Sequence, residues 1–60
     1  MNYYCYMHHT EGGELITHGV RVFCEQTDRH SIEEAALDKL ERFGLRVNQF
    51  NCRMIDYDVD

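Results

Sequence analysis

The chain has no proline, only six lysines and arginines against eleven acidic residues, and three cysteines without a single Cys-x-x-Cys pair. Each shortage excludes something. With no proline, no linker-like stretch, no repeat and no low-complexity segment, all 60 residues are expected to form one small domain, 1–60. An odd number of widely spaced cysteines makes a poor disulfide framework and fits a reducing compartment. A formal net charge of −5 is repelled by phosphate backbones and drawn to basic surfaces, so direct nucleic-acid binding is not expected. No apolar run approaches the roughly 20 residues that cross a bilayer. The first residues lack the basic and apolar regions of a signal peptide, and the expectation is a soluble, cytoplasmic protein with no membrane partner. A fold of this length buries only about 60% of the surface its unfolded chain exposes. A walled substrate pocket is hard to build from so little, which favours a binding or regulatory module over an enzyme.

What is present begins with a hairpin. Residues 2–9, NYYCYMHH, are rich in tyrosine, and residues 15–25, LITHGVRVFCE, supply Ile16, Val20, Val22 and Phe23. Between them lies Glu-Gly-Gly-Glu, whose adjacent glycines accept the positive φ angles of a primed turn. With Gly12 and Gly13 as the two loop residues, the register pairs His9 with Ile16, Met7 with His18, Cys5 with Val20 and Tyr3 with Val22. Alternation then gathers Tyr3, Cys5, Met7, His9, Ile16, His18, Val20 and Val22 on one mostly apolar face. The mixed face receives Tyr4 opposite Arg21, Tyr6 opposite Gly19 and His8 opposite Thr17. Register and polarity pattern agree. Tyr6 is placed to cover Gly19, as an aromatic ring can cover a strand glycine.

The thiols and imidazoles of this stretch raise the question of a metal or a catalytic pair. Zinc needs about four ligands converging on one point. Cys5 and His9 share a face, but four residues of strand put their Cα atoms about 13 Å apart. His8 points the other way, and Cys24 falls near Met1. No metal and no cofactor is expected. Cys5 and Cys24 read as small buried hydrophobes, and the histidines as residues of a strand end near solvent. For catalysis, the pleat separates Cys5 from His8 and no third group orients either.

The segment DRHSIEEAALDKLERFG reads as one amphipathic helix over about 32–43. Ser31 and Glu34 have the spacing of a capping box. Ile32, Ala35, Ala36, Leu40 and Phe43 form its apolar stripe, and Gly44 stops it. Glu34, Asp38 and Glu41 form an acidic ridge on the far side, ordinarily a solvated face. Residues 45–55 read as the last strand. Leu45 and Val47 alternate on one phase and Phe50, Cys52 and Met54 on the other, so a bulge near Asn48 and Gln49 would bring both sets to the core. The tail Asp-Tyr-Asp-Val-Asp is expected to fray.

The element order is β-β-α-β. A right-handed crossover most simply sets the third strand beside the first. The expected fold is therefore α+β, a three-stranded antiparallel sheet in order 2-1-3 with one helix packed on one face. The other face, carrying Tyr4, Tyr6, Arg21, Phe23 and Arg53, is left uncovered. Grouped aromatics in the open mark a partner site or a dimer interface.

The stretch VRVFCEQTDRHSIEEAALDKLERFGLRV, a strand followed by a capped Ser-x-Glu-Glu-Ala helix and a strand after glycine, resembles very small phage-encoded proteins. The phage inhibitors of bacterial RNA polymerase are similar in length, element order and acidity, and some antitoxins share the hairpin and the following Glu-Glu-Ala helix. The resemblance covers most of the chain, rests on layout and brings no diagnostic motif. It implies a phage or mobile-element product that acts in the host cytoplasm by binding host machinery. The reading that results is a small acidic, non-enzymatic protein that binds and modulates or inhibits a host macromolecule. It does so either through the acidic ridge of Glu34, Asp38 and Glu41 and the acidic tail or through the open face of Tyr4, Tyr6, Arg21, Phe23 and Arg53. A nucleic-acid-handling protein with a basic surface is the favoured target, because its channels attract carboxylates. Two alternatives stand beside it. One is a single-stranded nucleic-acid binder stacking bases on Tyr4, Tyr6 and Phe23 beside Arg21 and Arg53. The other is a metal-binding protein.

Overall fold

The computed structural model describes all 60 residues in the order β1 (Asn2–Glu11), β2 (Glu14–Phe23), α1 (Arg29–Arg42) and β3 (Cys52–Val59). The strands form one antiparallel sheet in the order β2-β1-β3, and α1 covers one face. This is the α+β layout that the hydrophobic pattern predicts. The β1–β2 register is also the expected one, from Asn2 opposite Phe23 to Glu11 opposite Glu14. Gly12 and Gly13 both have positive φ, 59° and 81°, which a two-residue primed turn demands.

Period-2 alternation sends Tyr3, Cys5 and Met7 of β1, Val20 and Val22 of β2, and Cys52 and Met54 of β3 into one core. Ile32, Ala36 and Leu40, one turn apart along α1, close it from above. Cys5, Cys24 and Cys52 are all free thiols inside this core.

The helix ends differ from the expected ones. The N-cap is Asp28, not Ser31: its carboxylate accepts from the Ser31 backbone N–H and from Ser31 Oγ, both at 2.9 Å. Asp28 stands at the position from which an N-cap side chain reaches the third helical N–H, and a carboxylate is a stronger acceptor than a hydroxyl. These bonds hold the Asp28 carboxyl below the usual carboxylate range, the backbone bond contributing most. Glu34 is left to pair with His30 instead. At the other end Gly44, at φ 94°, does stop the helix. Leu45 N–H donates to Leu40 O and Gly44 N–H to Glu41 O, a complete Schellman pair. Phe43 becomes the cap residue, leaves the helical stripe and is 73% exposed rather than buried.

The third strand starts later than residue 45. Residues 45–51 form a loop closed by asparagines: Asn48 N–H donates to Asn51 Oδ1, Phe50 N–H to Asn48 Oδ1, and Asn51 Nδ2 to Arg46 O. Side-chain amides take over the backbone groups that a ladder would have used. Val47 drops into the core from this loop, while Phe50 stands out of it at 88% exposure, the reverse of its expected place. The ladder bulge lies at Ile55, where the register with β1 shifts between Tyr6 opposite Asp56 and Met7 opposite Met54, and not at Asn48 and Gln49. The acidic tail does not fray. It is the second half of β3, held to Tyr3 through Tyr6, and Asp60 N–H still donates to Asn2 O.

Candidate partner-binding face

The sheet face away from α1 is a small grid built on β1. Tyr4, Tyr6 and His8 form its central column. Arg21, Gly19 and Thr17 of β2 lie on one side, and Asp58, Asp56 and Arg53 of β3 on the other. Four of the eight residues expected to bind a partner (Tyr4, Tyr6, Arg21 and Arg53) therefore share this grid. Phe23 sits at its corner, opposite Asn2, and is 65% exposed.

The two tyrosines are ordered by different neighbours. Tyr4 lies over Gly19, so close that a Cβ there would meet its hydroxyl at 2.0 Å. The ring that covers the strand glycine is thus Tyr4, the diagonal neighbour, and not Tyr6 directly opposite. Tyr6 is drawn the other way, its hydroxyl donating to Asp58 Oδ2 at 2.8 Å. That bond, more than burial, pushes the Tyr6 hydroxyl above the ordinary tyrosine range. The rings meet edge to face with centroids 5.2 Å apart, and the Arg21 guanidinium lies 5.8 Å above Tyr4. Arg21 is in turn 3.3 Å from Asp60. A chain of contacts, Asp60–Arg21–Tyr4–Tyr6–Asp58, crosses the whole sheet.

The charge of Asp56, Asp58 and Asp60 makes the tail a candidate for a basic partner, but the sequence reading leaves these residues in a fraying end rather than beside the tyrosines. Their signal was present: Asp-Tyr-Asp-Val-Asp alternates with period 2, which is strand-like, with Tyr57 turned inward to meet Tyr3 edge to face at 5.8 Å. The result is an aromatic face rimmed by carboxylates.

The acidic ridge is separate, on the solvent side of α1. Glu34 pairs with His30 at 2.9 Å and Asp38 with Arg42 at 2.7 Å, both i, i+4 contacts. Glu41 has no such ion pair. The helix thus answers part of its own negative charge.

On the core face, no group of three or more histidine, cysteine or acidic side chains could hold a metal ion. Burial pushes the Cys5 and Cys52 thiols up, away from the thiolate that acts as nucleophile. His9 lies inside the core, 1% exposed, rather than near solvent. Its Nδ1 is 3.2 Å from His18 Nε2, one of the two donating, and its own Nε2 has no partner.

No family model, curated protein or solved structure matches this chain. No helix is long and apolar enough to cross a membrane.

Proposed function

We propose that the protein is a non-enzymatic binding module whose uncovered sheet face engages a basic surface on a macromolecular partner. The observation that carries this is the Tyr4–Tyr6 pair set beside Asp56 and Asp58 on a face that no element of the chain covers. Aromatic rings with a carboxylate beside them suit lysine and arginine side chains, which stack on the ring and pair with the acid. The net charge of −5, with the helix ridge of Glu34, Asp38 and Glu41 adding to the field, would steer such a partner in from a distance. A host protein that handles nucleic acid presents this kind of basic surface. The resemblance of the sequence layout to that of small phage inhibitors is the reason to propose that the protein blocks such a surface. The carboxylates on the grid weigh against a single-stranded nucleic acid as the ligand, because its phosphates would approach Asp56 and Asp58.

The test is capture from a bacterial lysate with wild-type protein and with Tyr4→Ala/Tyr6→Ala, followed by kinetics on the retained protein. A basic protein should be retained by the wild type and lost by the tyrosine variant. Tyrosine truncation should act mainly on dissociation, by about 1–3 kcal/mol per anchor. Asp56→Asn, and reversal of Glu34, Asp38 and Glu41 to lysine, should instead slow association and flatten its salt dependence. Equal retention by wild type and tyrosine variant, or tight binding of an unstructured oligodeoxythymidine, would overturn the reading.

A further inference from the structure

The two edges of the sheet are treated very differently. Along β3 the edge is interrupted by the bulge at Ile55. Both outward backbone groups of Met54 are also taken by the helix: its N–H donates to Glu33 Oε2 and its C=O accepts from Arg29 Nη2, each at 2.7 Å. Bulges and side-chain caps are the usual means of stopping a strand from recruiting another. The edge of β2 has almost none of this. It is ten residues long with no register shift, no proline and, from Leu15 to Phe23, no acidic residue in a chain that has eleven.

The backbone pattern defines what this edge offers. Met1 and Cys24 exchange both backbone bonds. By alternation Val22, Val20, His18 and Ile16 also bond inward to β1, and Leu15, Thr17, Gly19, Arg21 and Phe23 turn their N–H and C=O groups outward. One of these is capped, the Arg21 carbonyl oxygen accepting from Lys39 Nζ. Large apolar side chains stand at both ends, Leu15 at 62% exposure and Phe23 at 65%.

We infer that a second copy of this chain occupies the β2 edge, pairing β2 antiparallel to itself about a two-fold axis at Gly19. Symmetric pairing requires outward-facing residues to meet one another, which leaves few registers. Centred on Gly19, Leu15 faces the second copy's Phe23, Thr17 faces Arg21, and glycine faces glycine. Both apolar ends are matched, and the arginines are set apart across the axis. Centred one residue earlier, Leu15 would face Arg21 and Phe23 would face Gly13. Centred one residue later, Leu15 would face Glu25. Only the Gly19 register pairs apolar with apolar at both ends. The missing side chain at the axis leaves room for Tyr4 of each copy, which lies over Gly19. The product is a six-stranded sheet with one continuous uncovered face. Charge favours the same edge: two copies of net charge −5 meet here along the segment that carries arginine and no carboxylate.

Sedimentation equilibrium of the protein alone tests this without reference to any other partner. The wild type should sediment at twice the 7.2 kDa chain mass. Thr17→Pro removes only an outward N–H, so it should keep the circular dichroism spectrum and return the protein to the single-chain mass. Phe23→Lys, which leaves the backbone alone, should weaken association about tenfold or more. Lys39→Met frees the Arg21 carbonyl and should tighten it. Isotope-filtered NMR on mixed labelled and unlabelled protein should show Leu15 methyls against the second copy's Phe23 ring. A single-chain mass at millimolar concentration overturns the inference, whether or not the edge takes up an unrelated extended peptide. So does a dimer that survives Thr17→Pro and Phe23→Lys but dissociates with Tyr4→Ala.

Discussion

Replacing His9 by methionine should make the protein more stable, although it deletes a hydrogen bond. The His9 ring is enclosed in the core, and its Nε2 has no partner. A buried polar group left unpaired costs about 1–3 kcal/mol, whereas the net worth of an ordinary hydrogen bond, here Nδ1 to His18 Nε2, is about 0.5–1.5 kcal/mol. Methionine is apolar and flexible enough to fill the ring's space. His18 is only half-buried and can turn its freed nitrogen to water. The balance is a gain of about 1 kcal/mol. In a domain of this size that raises the midpoint of thermal unfolding by about 4–8 °C, measurable by circular dichroism at pH 7. Urea unfolding should show a higher midpoint with an unchanged slope. The reciprocal change has the opposite sign. His18→Met leaves both nitrogens of a buried ring unpaired and should cost about 1–2 kcal/mol. If His9→Met lowers the midpoint, Nε2 has a partner that stabilises it, and the reasoning fails.

Two further outcomes follow from the ionisable groups. Asp28→Ala should lower the unfolding midpoint at pH 7 and lower it by less at pH 2. A carboxyl held below its unfolded range contributes stability above about pH 4 that is lost as pH falls through the folded value. An equal loss at both pH values would mean that the cap is not the Asp28 carboxylate. The Cys5 and Cys52 thiols are raised by burial, so the unfolded chain ionises first, and their stabilisation is present below about pH 8.5 and declines as pH rises beyond it. Urea midpoints measured from pH 7 to 10 should fall, and a thiol reagent should modify the native protein slowly at pH 7. Rapid modification of all three cysteines would contradict their burial.

The parts of the fold legible in the sequence are those set by local pattern with one dominant period. The Gly12–Gly13 turn fixed the β1–β2 register because two positive φ angles leave little choice of loop, and alternation then assigned every residue from Tyr3 to Val22 a face. What was not legible came from competition between partners of similar strength. Asp28 and Ser31 are both good N-caps, and the chain uses the carboxylate. Phe43 and Phe50 are apolar residues in plausible core phase, but the Schellman turn and the asparagine-closed loop set their direction before packing can. His9 reads as polar and end-of-strand, yet β3 runs on the far side of β1 as far as Cys52 opposite His9 and encloses it. Of the candidate face, the tyrosines and Arg21 were readable from the hairpin alone. Asp56 and Asp58 were not, because their place depends on the Ile55 bulge, which shifts β3 by one residue against β1.

That shift has a consequence for how the two proposed surfaces can coexist. It puts Asp56 and Asp58 on the same face as Tyr4 and Tyr6, so stacking this face against its own copy would bring like carboxylates together in a low-dielectric contact. Face-to-face self-association is therefore disfavoured by the same residues that would favour a basic partner. The β2 edge carries no such penalty, since no carboxylate lies between Leu15 and Phe23. Pairing through the edge would leave the tyrosines and carboxylates of both copies exposed on one side of an extended sheet. A basic partner with two contact points would then gain avidity without any new contact type. The same geometry predicts that Thr17→Pro, which splits the copies, should lower affinity for such a partner while leaving the contribution of Tyr6 per copy unchanged. If Thr17→Pro and Tyr6→Ala have fully additive effects on a monovalent fragment of the partner and non-additive ones on the intact partner, edge and face act together as described. If the face itself were the dimer contact, the two changes would be non-additive in both.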